Sequence, residues 1–298
     1  MSIGLVRTER VVLFTKGDPL VLTSGAVLGP VEVAFETYGV LSPSRDNVVV
    51  VCHALTGDAH AAGHHGDPSR PGWWDSLVGP GRPVDTDRFF VVCANLLGGC
   101  QGTTGPLSTD PRTGRAYGLD FPLLAMSDLV AVHRRLLEHL GVERVHAAVG
   151  GSLGGMQILQ WAIDAPDQLD RAVLVGASSQ LTAQNIAFSS VARTAILSDP
   201  AFAGGRYPDT GRRPEIGLTV ARMMAHITYV SEESLTAKFG RRRRSEGAGR
   251  LTTDFEVESY LDHQGRVFVE RFDALTYLYL SRVMDYFDPF ADPTAAAR

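Results

Sequence analysis

The residues with the clearest chemical promise are Gly150-Gly151-Ser152-Leu153-Gly154-Gly155, where a serine is flanked on both sides by glycine. Gly150, Ser152 and Gly154 satisfy G-x-S-x-G, a pattern that puts a hydroxyl on a sharp strand-to-helix turn when a strand precedes it and a helix follows. Small residues are needed there because a side chain at either flank would strike a neighbouring element. Such a turn lifts Ser152 clear of the sheet over a helix N-terminus, where developing negative charge is favoured. The chemistry would be nucleophilic attack on a carbonyl, with the Leu153 amide facing the oxyanion. The competing reading is a glycine-rich turn that binds phosphate or simply reverses the chain.

A tetrahedral oxyanion needs a second donor. The loop His53-Ala54-Leu55-Thr56-Gly57-Asp58 follows a β-branched run, and the Leu55 amide is the candidate. His53 is less apt as a base, since a histidine in such a loop usually packs or bonds locally.

These residues require a strand scaffold. Val31 to Phe35 alternates apolar and polar, as a half-buried strand does. Asn47 to Cys52 and Arg88 to Ala94 are continuous apolar runs suited to strands covered on both faces. A helix is predicted from about Leu123 to Leu140, stopped by Gly141. Arg144 to Val149 and Arg171 to Val175 bracket a second helix, Gly155 to Ala165, which Pro166 ends. Alternating strands and helices predict a mainly parallel sheet covered on both faces. After Ser178 the pattern is helical with polar loops at Arg206 to Pro214 and Gly240 to Arg250. The second holds four consecutive arginines, 241–244, read as solvated surface rather than a nucleic-acid site. The expected division is a core over 1–178, then a helical lid over 179–298 that ends by starting back into the core.

The bulk numbers agree with a soluble enzyme: 298 residues, 44% hydrophobic, 20% charged and a net charge of −5. That balance excludes a basic field for nucleic acid or anionic membrane. No apolar run approaches the roughly 18 residues of a membrane span. No secretory signal opens the chain, so a cytoplasmic location is expected. Three cysteines are too few for a disulfide framework, and no metal-ligand motif stands out.

Several segments together resemble homoserine O-acetyltransferase: His53 to His60, Gly72-Trp73-Trp74-Asp75, Asn95 to Pro106, Gly150 to Met156, Ala221 to Tyr229, Asp262-His263-Gln264-Gly265 and Arg271-Phe272-Asp273. The resemblance implies an α/β-hydrolase fold with an inserted helical lid that also forms a homodimer contact. It implies acetyl transfer from acetyl-CoA, through an ester on Ser152, to the hydroxyl of L-homoserine in methionine biosynthesis, with no permanently bound cofactor. It places Arg222 on the substrate carboxylate, with a structural salt bridge as the alternative. Tyr229 would line that pocket, or else belong to the core. Asn95 and the 98–106 loop would shape the acyl pocket, while His263 and Asp273 would be lid framework.

In this fold the triad acid and histidine follow the serine in chain order. After Ser152 the histidines are His226 and His263, both in the predicted lid, and no strand pattern follows before Asp292 to Arg298. The expectation is therefore that the triad Asp and His, and the last strands that carry them, are not present in this chain. Low activity and an exposed sheet edge would follow. Succinyl transfer, transfer to serine, simple hydrolysis and a non-catalytic binding role are the alternatives.

Overall fold

The computed structural model describes residues 2–245 and 251–291. The expected loop at Gly240 to Arg250 therefore lies partly outside the described residues, as do Asp292 to Arg298. The chain forms two compact units. The first holds residues up to Ser108, Asp120–Leu181 and the chain from Tyr279; the second holds Thr109–Leu119 and Thr182–Leu278. This differs from a single boundary after residue 178: an eleven-residue excursion, 109–119, joins the helical unit, and the first unit resumes at Tyr279.

The first unit is built on a six-stranded sheet. Its strands are β1 (Glu9–Phe14), β4 (Val31–Tyr38), β5 (Val48–Cys52), β8 (Phe90–Ala94), β9 (Ala147–Gly151) and β10 (Ala172–Val175), in the order β1-β4-β8-β5-β9-β10. Two small pairs, β2 (Leu20–Val21) with β3 (Val27–Leu28) and β6 (Val78–Gly79) with β7 (Val84–Asp85), lie outside it. β1 and β4 run antiparallel, whereas β8, β5, β9 and β10 are parallel. All five residues of β5 are buried, as a β-branched run covered on both faces requires.

β4 is more deeply buried than its alternation predicts. Besides pairing with β1 and β8, it is clasped by the glycine-rich loop. Thr104 N–H donates to Glu32 O at 2.9 Å, and the Thr103 hydroxyl accepts from Ala34 N–H at 3.0 Å.

Helix α1 (Met126–His139) begins later than its apolar period suggests, because Asp128 caps it by accepting from Ala125 N–H at 2.7 Å. It ends at Gly141, whose φ of 69° suits the left-handed stop that glycine allows. Helix α2 (Leu153–Asp164) buries Met156, Ile158 and Trp161, the Trp161 ring stacking on His133 of α1 at 6.0 Å. β10 forms the sheet's edge: Val173, Leu174 and Val175 are each about half exposed, and its outer side has no strand partner among the described residues.

The second unit is helical, with α3 (Ala183–Ser198), α4 (Glu215–Tyr229), α5 (Glu232–Phe239) and α6 (Glu256–Arg271). Helix α7 (Ala274–Asp285) begins there and continues into the first unit. Gly217 lets α4 press against α3: a Cβ at that position would lie 2.5 Å from Ala195 O. Of the arginine run, Arg242 pairs with Glu256 at 2.7 Å and Arg243 with Asp254 at 2.9 Å, so half of it is committed to local ion pairs. Among the described residues no helix is long and apolar enough to cross a membrane.

Candidate active site

Ser152 stands between β9 and α2 with φ 52° and ψ −123°, a backbone region that side chains disfavour. Its N–H is held by Val175 O at 3.0 Å, and its C=O accepts the first helical bond, from Met156 at 3.1 Å. The turn is therefore fixed on both sides. Its exposed hydroxyl makes no hydrogen bond among the described residues.

The flanking glycines have the expected steric cause. A Cβ on Gly154 would lie 2.0 Å from Cys52 O, and one on Gly150 would lie 2.8 Å from the same oxygen. The start of α2 thus sits directly on the end of β5, which brings the loop after β5 beside the serine turn.

That loop closes as a tight turn, Gly57 N–H donating to Ala54 O at 2.9 Å. Leu55 is one of its two central residues, and its N–H meets no acceptor among the described residues. Leu153 opens α2, so its N–H belongs to the first helical turn and has no intrahelical acceptor. Both N–H groups are thus without a backbone acceptor, on two segments that the close approach of Gly154 to Cys52 O sets side by side.

His53 is buried and serves as scaffold. Leu96 N–H donates to its Nε2 at 3.3 Å, so Nδ1 carries the proton and donates to Ala54 O at 2.8 Å. Burial pushes its pKa down. Behind it Gln157 donates to His53 O at 3.3 Å and accepts from His133 Nε2 at 2.8 Å. Burial lowers His133 to a pKa of about 4, so this chain of bonds is neutral at ordinary pH. Sequence reasoning missed His133 and Gln157; both read as ordinary positions on helix faces.

Asn95 is buried at the end of β8, and its Nδ2 has no hydrogen-bond partner among the described residues. The loop after it folds back on itself: Gly98 N–H donates to Thr104 O at 2.9 Å, and a Cβ on Gly105 would lie 2.6 Å from Gly99 O. Cys52 and Cys93 are buried free thiols, with Cys52 pushed up to about 12 by desolvation. No imidazole or carboxylate of the first unit is hydrogen-bonded to Ser152 among the described residues.

In the helical unit Arg222 lies on α4 with its guanidinium 4.8 Å above the Phe268 ring. Its Nε is buried with no partner among the described residues, and burial lowers its pKa. No carboxylate among the described residues forms an ion pair with it. Tyr229, one turn beyond His226, is 64% exposed. Asp273 accepts from the Tyr207 hydroxyl at 2.6 Å and from Leu275 N–H at 2.9 Å, a framework role. His263 lines a surface cleft with Phe239, Glu256 and Tyr260.

A mainly parallel sheet with a serine elbow between β9 and α2 has the form of an α/β-hydrolase fold. The family model described as "alpha/beta hydrolase fold" matches residues 47–285. A homoserine O-succinyltransferase from Nocardioides sp. is 68% identical over 99% of this chain and 80% of its own length. A homoserine O-acetyltransferase from Methanosphaerula palustris is 51% identical over 98% of this chain, which spans 59% of that protein. Among solved structures, homoserine O-acetyltransferase from Bacillus anthracis superposes with a TM-score of 0.86 at 30% identity, covering 95% of this chain and 77% of that one. Esterase E22 superposes nearly as well, at 0.85 and 30% identity over 95% of this chain and 78% of its own. The chain belongs to the α/β-hydrolase fold family. Within it, the chain is a member of the homoserine O-acyltransferases, a family of enzymes.

Proposed function

We propose that the chain transfers an acetyl group from acetyl-CoA to the hydroxyl of L-homoserine through an ester on Ser152. The observation that carries this is the Ser152 turn, strained and held at both ends, with the Leu55 and Leu153 amides free beside it. In the first step the Ser152 oxygen bonds to the thioester carbonyl carbon. The carbonyl oxygen takes the negative charge between the two amides, and the C–S bond then breaks, CoA leaving as the thiol with the proton that the serine hydroxyl gives up. In the second step the homoserine oxygen bonds to the ester carbonyl carbon, the carbon–oxygen bond to Ser152 breaks, and the homoserine hydroxyl's proton passes to the freed serine. Splitting one displacement in two lowers each barrier.

Arg222 is assigned to the homoserine carboxylate, because a guanidinium without an anionic partner suits fork-like binding of a carboxylate. Tyr229 and Asn95 are assigned to the homoserine and acyl pockets. Exposed Val191, Leu197 and Ile216 on the helical unit are read as part of a homodimer contact. Because no imidazole is bonded to Ser152 among the described core residues, turnover by the 298-residue chain is expected to be slow. A nucleophile without its base keeps only the acceleration from the oxyanion hole and binding.

Succinyl transfer is the second reading, favoured by the relative at 68% identity. Hydrolysis is the third, favoured by the likeness to esterase E22. The test follows free CoA and O-acylhomoserine with acetyl-CoA or succinyl-CoA, each with and without L-homoserine. Homoserine-dependent release with acetyl-CoA supports the proposal. Preference for succinyl-CoA replaces the donor, and release indifferent to homoserine makes the chain a hydrolase.

A further inference from the structure

A second cluster of chemically capable side chains sits on β4, three strands away from β9 in the sheet. Glu36 is fully buried there. One of its oxygens accepts from His65 Nε2 at 2.7 Å and the Thr8 hydroxyl at 2.8 Å. The other meets His60 Nδ1 at 3.0 Å and the Tyr38 hydroxyl at 2.8 Å. The two imidazoles stack with their centroids 3.8 Å apart. One nitrogen from each ring and a carboxylate oxygen all lie within 4.8 Å of one another.

We propose that Glu36, His60 and His65 form a binding site for one divalent first-row transition ion, of which zinc is the type. Two histidines and one carboxylate on a common face are a recognised ligand set for such ions, with further positions left to water. The two nitrogens reach the same carboxylate, His65 at 2.7 Å from one oxygen and His60 at 3.0 Å from the other. Binding replaces the imidazole protons that face Glu36, and the His65 ring, 46% exposed, can turn to meet the ion.

The outer partners are those a metal site needs. Thr8 and Tyr38 hydroxyls hold the two carboxylate oxygens, and the Tyr38 hydroxyl also accepts from Ala61 N–H at 2.8 Å. His60 meets Glu36 through Nδ1, while its other nitrogen, Nε2, is buried with no partner among the described residues. The half-exposed His65 gives an ion a way in. The ion would tie the 58–65 segment to β4, a structural role separate from Ser152 and independent of the acyl-transfer reading.

The test is calorimetric titration of the 298-residue chain with zinc chloride, with cobalt chloride as a spectroscopic substitute. One ion per chain is expected, with cobalt absorption bands indicating nitrogen and oxygen ligands. His65→Ala should weaken binding more than tenfold, and Thr8→Val, which touches only the outer partners, by about tenfold. His64→Ala, beside the cluster but not in it, should leave affinity unchanged. Thermal melts establish that each variant is folded. No bound ion, or an affinity the same in His65→Ala as in the parent, would overturn the proposal.

Discussion

Replacing Ser152 by glycine should make the protein more stable while removing its nucleophile. A non-glycine residue at φ 52° and ψ −123° stores strain of about 1–3 kcal/mol, which glycine does not. Against this, glycine gives the unfolded chain extra freedom worth about 0.5–1 kcal/mol. The hydroxyl is exposed and makes no hydrogen bond among the described residues, so its removal carries little packing cost. The net gain is about 1 kcal/mol, which for a chain this long raises the melting temperature by about 1–2 °C. Ser152→Ala removes the same hydroxyl but keeps the Cβ and the strain, so it should melt with the parent. The comparison is calorimetry or circular dichroism on the three proteins under one buffer. If Ser152→Gly melts at or below Ser152→Ala, the elbow is not strained as described.

Three further outcomes follow from the same geometry. Gly154→Ala puts a Cβ 2.0 Å from Cys52 O, a clash with backbone that no rotamer relieves. It should cost about 3 kcal/mol or more, read as a lowered urea midpoint. Arg222→Ala should weaken L-homoserine binding by about 10–100-fold, the value of a charge-assisted contact, with Arg222→Lys recovering part of it in a titration. His133 contributes a pH dependence whose sign is set by its depressed pKa, about 4 when folded against about 6.5 when unfolded. The unfolded chain takes up the proton first, so the associated stability is full above pH 6.5 and is lost as pH falls towards 4. It amounts to about 3 kcal/mol, and His133→Gln should flatten the slope of stability against pH across that window.

Much of the site was legible because its signals are local. The double glycines around Ser152, the valine run before His53 and the glycine loop after Asn95 each declare a backbone geometry within a dozen residues. The parts that were not legible depend on contacts distant in sequence. Glu36 falls just past the strand expected over Val31 to Phe35, and only the fold brings His60 and His65 to it. The same holds for Gln157, which links His133 to His53 O across more than a hundred residues of chain. Residues 109–119 carry no sign of belonging with helices that begin seventy residues later. β1, β2, β3, β6 and β7 also escaped prediction. Most are too short for periodicity to reveal, and β1 mixes charge with its valines at the sheet's edge.

The central claim is that Ser152 receives the acyl group. The direct measurement is intact-protein and peptide mass spectrometry after incubation with acetyl-CoA, with and without added imidazole as an external base, beside Ser152→Ala. The account predicts one acyl group per chain, located on the peptide containing Ser152, formed faster with imidazole and absent from the variant. An adduct that persists in Ser152→Ala, or no adduct at any imidazole concentration, would contradict it.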